Sequence, residues 1–235
     1  MTDRPESQPR AEKPNQTPAD RGRGVGRPPA LSVEQVIDAA IELADEAGLA
    51  GLSMPKLAAR LNVGTMTLYG YVANKQDLLD RVASRIFEDL VMPETGNWRE
   101  ALADYFRSFR RAALAHPTLA ELLAGGRITI PEVFQTLETV LRTANDEEIH
   151  GEVAIRTFYA ALTYTLGFVL WEIPRTRLQP ETGYHAEWAH LLGQLDADRH
   201  PLLTGPASGI VPTVASEEQF EWGLLQVIRD RNDRT

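Results

Sequence analysis

Apolar residues recur at helical spacing through most of this chain. The first amphipathic run lies between Ser32 and Gly48, with apolar positions at Val33, Val36, Ile37, Ala40, Ile41 and Ala44. Ser32 is a favourable N-cap and Gly48 a favourable helix end. A second run follows Asn74, with Leu78, Leu79, Val82 and Ile86. Because no alternating strand pattern persists, the sequence predicts an all-α fold.

The second half of the chain predicts one helix after another. The predicted spans are Trp98 to Ala115, a short helix to about Ala124, Pro131 to Ala144, Glu148 to about Trp171, Tyr184 to Leu195, and Ser216 to Arg229. The run from Glu148 is apolar on more than one side, so it should be buried on more than one side. A polar stretch with Pro174 and Pro180 is expected after it, and a Pro/Gly-rich loop up to about Thr213.

Between the first two amphipathic runs, residues 52–69 predict two short helices joined by a tight turn. One face of the first helix carries Leu57, Ala58 and Leu61. Leu68 and Tyr69 can close on that face, and Asn62 occupies the turn, where a residue must often adopt the left-handed conformation. This arrangement is typical of a helix-turn-helix, whose second helix enters the major groove of DNA.

The residues that follow resemble a known family. Thr67-Leu68-Tyr69, Tyr71-Val72, Asn74-Lys75 and Leu78-Leu79 occur in the order found in the DNA-binding domain of TetR-family transcriptional regulators, and the resemblance covers about residues 31–90. Gly125-Gly126-Arg127, Thr136-Leu137-Glu138 and residues 166–170 more weakly resemble the tetracycline-repressor type of C-terminal domain. The resemblance implies a three-helix DNA-binding domain over 31–77 and a helical effector-binding and dimerisation domain over 78–235.

Residues 1–30 carry six prolines and almost no large apolar residues. Such a segment cannot bury enough surface to offset the entropy of ordering, so it is expected to be disordered. Its basic part carries Arg21, Arg23 and Arg27, which could reach a minor groove as homeodomain arms do. A solvated tail without DNA contacts is the alternative.

The candidate DNA-binding residues lie on or beside the predicted recognition helix, Thr65 to Tyr71. Besides the three arm arginines they are Ser53, Lys56, Thr65, Met66, Thr67, Tyr69, Tyr71 and Lys75. Threonine hydroxyls can reach base edges or phosphates, and tyrosine hydroxyls can reach phosphates. For Tyr69 a purely core role is the alternative, and the resemblance implies a phosphate contact for Lys75. Gly70 within the helix would cost about 1 kcal/mol relative to Ala.

An effector pocket is implied by the resemblance, and aromatic and apolar residues of the second domain are candidates for its lining. They are Tyr105, Phe109, His116, Phe134, Leu137, Leu141, Phe158, Tyr159, Leu162, Thr163 and Trp171. A packed core without a cavity is the alternative at each position. Leu123 and Ala124 precede Gly125, and Trp171 follows Leu170, where tetracycline-responsive members carry the histidine and the acid that anchor a metal. The expected effector is therefore apolar or aromatic, not a metal–tetracycline complex.

The last predicted helix and the long helix before it are candidates for a homodimer interface. The stripe proposed for the seam is Phe220, Gly223, Leu224, Val227 and Ile228. A four-helix interface between two chains would place two recognition helices about one DNA turn, roughly 34 Å, or a multiple of it, apart.

Composition narrows the remaining possibilities. The 235 residues carry a formal net charge of -9 and no cysteine, which excludes disulfides and thiolate metal sites and is compatible with the cytoplasm. No run of 18 apolar residues occurs, so no membrane span is expected. Two Glu-x-x-His pairs, Glu147 with His150 and Glu187 with His190, lack the further inward carboxylates of a di-iron bundle. Neither a cofactor nor a metal is expected.

These features together predict a homodimeric transcriptional repressor that a small molecule releases from operator DNA. Two alternatives remain from the residues alone. One is a helical enzyme or metal protein whose helical hairpin is only structural. The other is a DNA-binding module without an effector.

Overall fold

Helices make up most of the part of the chain that the computed structural model describes, which is residues 31–93, 97–126, 130–177, 184–209 and 215–229. The first four helices form what we call the head: α1 (Val33–Ala47), α2 (Met54–Arg60), α3 (Thr65–Leu68) and α4 (Lys75–Phe87). A short 3₁₀ turn, Leu49–Gly51, connects α1 to α2.

The remaining helices form what we call the body. They are α5 (Trp98–Ala115), α6 (Pro117–Ala124), α7 (Glu132–Asp146), α8 (Gly151–Arg177), α9 (Tyr184–Gly193), α10 (Pro201–Thr204) and α11 (Glu217–Ile228). The predicted all-α fold is confirmed, since the described ranges contain helices and no strand.

Both ends of α1 are set by local sequence, as predicted. The Ser32 hydroxyl accepts a hydrogen bond from the Gln35 amide at 3.2 Å, and the Gln35 side chain accepts one from the Ser32 amide at 2.9 Å. These reciprocal bonds form a capping box, which satisfies two N–H groups that the helix cannot. Gly48 ends the helix with φ +71°, a conformation that side chains disfavour.

The turn between α2 and α3 has the predicted geometry. Asn62 has φ +53°, the left-handed conformation that lets the chain reverse over a few residues. Leu57 and Leu68 are fully buried and Ala58 nearly so, which locks the two helices together. The recognition helix is shorter than predicted, because α3 ends at Leu68. Gly70 therefore lies beyond the helix, and the expected cost of glycine inside a helix does not arise.

Helix α8 packs against α5, α6, α7 and α11. Its buried positions form one stripe: Ala154, Phe158, Ala161, Thr165, Val169 and Glu172. The predicted burial of this helix on more than one side is therefore not found within the described part of the single chain. Rings from α5 and α8 interlock there: the Phe106 ring lies 5.4 Å from that of Phe158 and 5.2 Å from that of Tyr105. Beside them Arg110 and Glu172 form a buried ion pair, with nitrogen–oxygen distances of 2.9 and 2.6 Å. The Arg110 guanidinium also lies 4.9 Å from the centre of the Phe220 ring.

Two predictions about the chain after Leu170 need correction. Helix α8 continues past Pro174 to Arg177, and α10 lies within the segment predicted as a loop. By length and composition alone Gly151–Pro174 could cross a membrane, with a mean hydropathy of 1.4 over 18 residues, although no such span was expected. Helix α8 packs against four other helices, and 28% of this window is buried, so the segment has one covered side, as a bundle helix does.

Candidate DNA-binding and effector sites

Helix α3 presents three of the candidate base-reading residues on its outer side. Met66 is 81% exposed, Thr67 is exposed and Thr65 is half-buried, whereas Leu68 anchors the helix in the core of the head. Tyr69 is 46% exposed, which argues against a purely core role, and Tyr71 is half-buried. A methionine this exposed contributes little to the fold, so its apolar side chain is available for contact with a thymine methyl.

The start of α2 carries the candidate phosphate contacts. The Ser53 hydroxyl accepts a hydrogen bond from the Lys56 amide at 3.4 Å and caps the helix, while the Lys56 side chain is exposed. Lys75 Nζ donates a hydrogen bond to the Leu52 carbonyl at 2.7 Å. An ammonium has three N–H donors, so this bond leaves donors for a phosphate and also ties the start of α4 to the start of α2.

Arg60 fixes the position of α2, a role that the sequence analysis did not anticipate. Its guanidinium donates to Glu46 at 2.7 and 2.8 Å and to Glu42 at 2.9 Å, both on α1. The hydrogen bond from Arg60 lowers the pKa of the Glu46 carboxyl. Because Arg60 is bound to two carboxylates, the basic residues left to face DNA near α2 and α3 are Lys56 and Lys75. In the sequence, the i,i+4 spacing of Glu42 and Glu46 indicates that both carboxylates lie on one side of α1, where one arginine can bind them together.

A second set of polar contacts fixes the turn that follows α3. The Asn74 side chain accepts from the Asp77 amide at 3.0 Å, and Asp77 accepts from the Ala73 amide at 2.8 Å. Arg81 pairs with Asp77 at 2.9 Å. The hydrogen bond from the Ala73 amide, and secondarily Arg81, hold the pKa of Asp77 below its usual value. These bonds define where α4 begins and therefore how Lys75 is placed.

The candidate effector residues are not brought together around one cavity. Tyr105, Phe109 and Phe158 are buried in the aromatic cluster of the body core. Seven other candidates are exposed or half-buried, and Phe134 is 73% exposed. They are Phe134, Leu137, Leu141, Tyr159, Leu162, Thr163 and Trp171. The predicted lining therefore stays a prediction: Phe134, Leu137 and Leu141 share one outer side of α7, whereas the buried Phe158 and the exposed Trp171 lie on different sides of α8.

His116 is also misplaced in that prediction. Its Nδ1 lies 2.7 Å from Asp45 Oδ2, so it contacts the end of α1 in the head and not the core of the body. The residue is the N-cap of α6 and its side chain makes no capping bond.

Buried polar groups in the body core offer a better starting point for an effector site. Thr118 on α6 and Thr165 on α8 are buried, and within the described residues their hydroxyls have no hydrogen-bond partner. Burial raises the pKa of Tyr105 on α5, and a hydrogen bond with Thr136 on α7 partly opposes that rise. A buried hydroxyl without a partner costs free energy, so these groups are the ones a bound molecule could satisfy.

The stripe predicted to face a second chain faces the protein's own core. Phe220, Gly223, Leu224 and Ile228 are buried and Val227 is half-buried. A Cβ added at Gly223 would overlap the Tyr164 side chain of α8, so this glycine admits a neighbour within the same chain. The opposite face of α11 is the exposed one, with Trp222 62% and Leu225 43% exposed. The residues predicted for the seam are thus buried within the chain itself, and the exposed apolar residues of α11 lie on its other side.

Two further points concern the remaining candidates. Arg21, Arg23 and Arg27 lie outside the described residues. Among the residues that are described, no group of three or more His, Cys, Asp or Glu side chains could hold a metal ion. Glu147, from one of the two Glu-x-x-His pairs, instead accepts a hydrogen bond from the Trp98 amide at the start of α5.

Comparison with known families assigns both halves of the chain. Residues 36–82 match the family described as "Bacterial regulatory proteins, tetR family". Residues 92–229 match the domain described as "Tetracyclin repressor-like, C-terminal domain". The second match alone covers more than half of the chain.

Individual proteins are similar over most of their length. The HTH-type transcriptional repressor DrrR1 of Streptomyces coeruleorubidus is 37% identical over 221 residues, covering 89% of this chain and 81% of the relative. The tetracycline repressor protein class D of Escherichia coli is 37% identical over 203 residues, covering 85% and 88%. The structure of the TetR family protein ActR of Streptomyces coelicolor in complex with actinorhodin aligns with a TM-score of 0.68 and 27% identity, covering 84% and 95%.

Proposed function

Because the chain belongs to the TetR family of bacterial regulatory proteins, we propose that it is a cytoplasmic, homodimeric repressor that a small molecule releases from operator DNA. It is a DNA-binding transcriptional repressor with a ligand-binding C-terminal domain. Residues 31–77 are proposed as the DNA-binding domain and 78–235 as the effector-binding and dimerisation domain.

The exposure of Met66 beside the buried Leu68 is the observation that carries the DNA-binding assignment. A one-turn helix anchored by a single buried leucine has an outer side that nothing in the head covers. Thr65, Met66 and Thr67 read base edges there in the proposal, and Lys56 and Lys75 contact phosphates on either side.

The dimer seam is proposed on the exposed apolar faces of α8 and α11, which pack against each other within the chain. Leu170 and Trp171 on α8 and Trp222 and Leu225 on α11 are each more than a third exposed. A Cβ at Gly167, on the same face of α8, would have no heavy atom within 4 Å, so a partner helix has room to approach there. Contiguous exposed apolar surface of this kind marks a protein interface.

The effector is proposed to enter the body core between α5, α6, α7 and α8. Its apolar part would displace contacts in the aromatic cluster of Tyr105 and Phe158, and its polar atoms would bond the hydroxyls of Thr118 and Thr165. An aromatic molecule with one or two oxygen atoms fits that chemistry. ActR, whose fold is similar, has been solved in complex with actinorhodin, which supports a small-molecule effector for this body.

Selection of duplexes from a random-sequence DNA library tests the proposal directly. The wild-type protein should enrich a palindromic sequence with two half-sites and bind it in a salt-sensitive manner. Met66→Ala should change the enriched bases without changing the melting temperature. Failure to enrich any sequence would contradict the proposal and favour a helical protein whose hairpin is structural.

A further inference from the structure

The end of α1 and the helix α6 are joined by two hydrogen bonds that link the head to the body. Asp45 Oδ2 lies 2.7 Å from His116 Nδ1, and the Leu49 amide donates to Glu121 Oε2 at 3.3 Å. His116 and Glu121 are five residues apart at the start of α6 and within it. Their partners in the head, Asp45 and Leu49, are four residues apart. Leu49 lies in the 3₁₀ turn that follows α1, so one attachment holds the last turn of α1 and the other holds the segment directly after it. Together they restrain the direction of α1 relative to α6.

Apolar packing joins α4 of the head to the body. Ile86 and Phe87 are buried, and the Phe87 ring lies 6.1 Å from that of Phe109 on α5. On the α1 side a cleft of about 480 Å³ lies between α1, α4 and α5, and its lining includes the charged residues Asp38, Glu42, Arg85 and Asp89. Because α1 is not closely packed against α5 across this cleft, its polar contacts with α6 add to the restraint on its direction.

Asp45 is placed where helix stability would not favour it. It lies in the last turn of α1, where the helix dipole opposes a negative charge. Its second oxygen, Oδ1, is buried and has no hydrogen-bond partner among the described residues, and burial without a partner costs free energy. Both the helix dipole and the burial of Oδ1 make Asp45 unfavourable for the stability of α1. Its contact with His116 therefore serves a purpose other than the stability of α1.

We infer that Asp45 and His116 are positioning residues that hold the head at the angle which sets the separation of the two recognition helices in the dimer. A dimer binds two half-sites at once only when its heads match their spacing. Removing the contact frees the head to swing, which lowers affinity for the preferred spacing and lowers the penalty for other spacings. The inference rests on the proposed homodimer.

Spacing discrimination is the measurement that tests this inference. Palindromes enriched by the wild-type protein are rebuilt with the half-sites moved apart or together by one and two base pairs, and affinities are compared by fluorescence anisotropy. In His116→Ala and Asp45→Ala the ratio of affinities for preferred and altered spacings should fall about threefold to tenfold, the size of one lost hydrogen bond. The double variant should fall no further than either single one. His116→Asn, which keeps a donor, should retain wild-type discrimination.

The controls separate positioning from stability. His150→Ala removes an exposed histidine whose ring accepts only a local bond from the Glu152 amide, and it should leave the ratio unchanged. All affinities are measured well below the melting temperature of each variant, and a lower melting temperature alone does not change the ratio. Unchanged discrimination in both alanine variants overturns the inference. Absence of any spacing preference in the wild-type protein instead contradicts the proposed dimeric function.

Discussion

Single side chains in the head divide into those that hold it together and those left to face DNA. Arg60 belongs to the first group, because Glu42 and Glu46 surround its guanidinium. Met66 belongs to the second, and Lys75 to both, since it donates to the Leu52 carbonyl and retains two other donors. A residue with both roles needs an experiment that separates them.

Lys75→Ala should weaken binding to all DNA sequences alike. If Lys75 neutralises one phosphate, the slope of log affinity against log salt concentration should fall by about one unit. If the lysine acts only through Leu52, affinity should fall while the slope stays the same. Salt titrations of operator binding distinguish the two, with the exposed Lys56→Ala as the comparison. An unchanged affinity and slope would exclude Lys75 from the interface.

Asp77→Asn should destabilise the protein in a pH-dependent way. The Ala73 amide and Arg81 lower the pKa of Asp77 in the folded state. A lowered carboxyl pKa means that its stabilisation is fully present above the ordinary aspartate value and is lost as the pH falls through the lower folded value. The melting temperature of the variant should thus lie below that of the wild type between about pH 5 and pH 7, and the gap should narrow below about pH 4. The exposed Asp89→Asn should show no such gap, and a gap that persists in acid would contradict this assignment.

Helix α11 shows how one element serves two surfaces. Its inner face packs on Tyr164 and Phe168 of α8, where Phe220 makes ring contacts with both. Its outer face exposes Trp222 and Leu225. Leu224 and Leu225 are adjacent in sequence but differ in environment, because one is fully buried and the other is 43% exposed.

This pair of leucines gives a matched test of the dimer seam. Leu225→Arg should leave the fold intact and produce monomers, because a charge in an apolar interface is not compensated. Leu224→Arg should instead unfold the body, since the arginine would be buried without a partner. Light scattering and circular dichroism report the two outcomes, with Gln135→Arg, at an exposed position on α7, as the control. A folded, dimeric Leu225→Arg protein would place the seam elsewhere.

At the scale of the whole molecule, effector and operator must act on each other reciprocally. A molecule that lowers operator affinity by a given factor must itself bind the operator complex more weakly by the same factor. The contacts that can carry this coupling include Asp45 with His116 and Ser84 with Glu132, which join α1 and α4 of the head to α6 and α7 of the body.

Thr165→Val tests where the effector binds. The change removes a buried hydroxyl without a partner among the described residues and keeps its volume, so the melting temperature should be unchanged or slightly higher. Operator affinity should be retained. A compound that releases the wild-type protein from DNA in an anisotropy screen should need a roughly tenfold higher concentration for the variant, if it bonds this hydroxyl. The surface variant Phe134→Ala should respond as the wild type does. If Phe134→Ala lost the response and Thr165→Val kept it, the effector would bind at the exposed side of α7 and not in the core.

Most helices and the helix-turn-helix could be predicted from the sequence, because the signals for both are local. Ser32, Gly48 and Asn74 act on backbone groups within a few residues, and Asn62 adopts its left-handed conformation within the turn it forms. The start and end of α5 could be predicted for the same reason.

Only the tertiary structure decided which face of each body helix is inside. Periodicity shows that Phe220 and Leu224 lie on one stripe, but it does not distinguish a partner chain from the protein's own α8. A helix that is apolar on several sides, such as α8, gives no preferred direction at all. The contact between Asp45 and His116 joins residues 71 positions apart. No local pattern predicts such a contact, since it depends on how the head lies against α6.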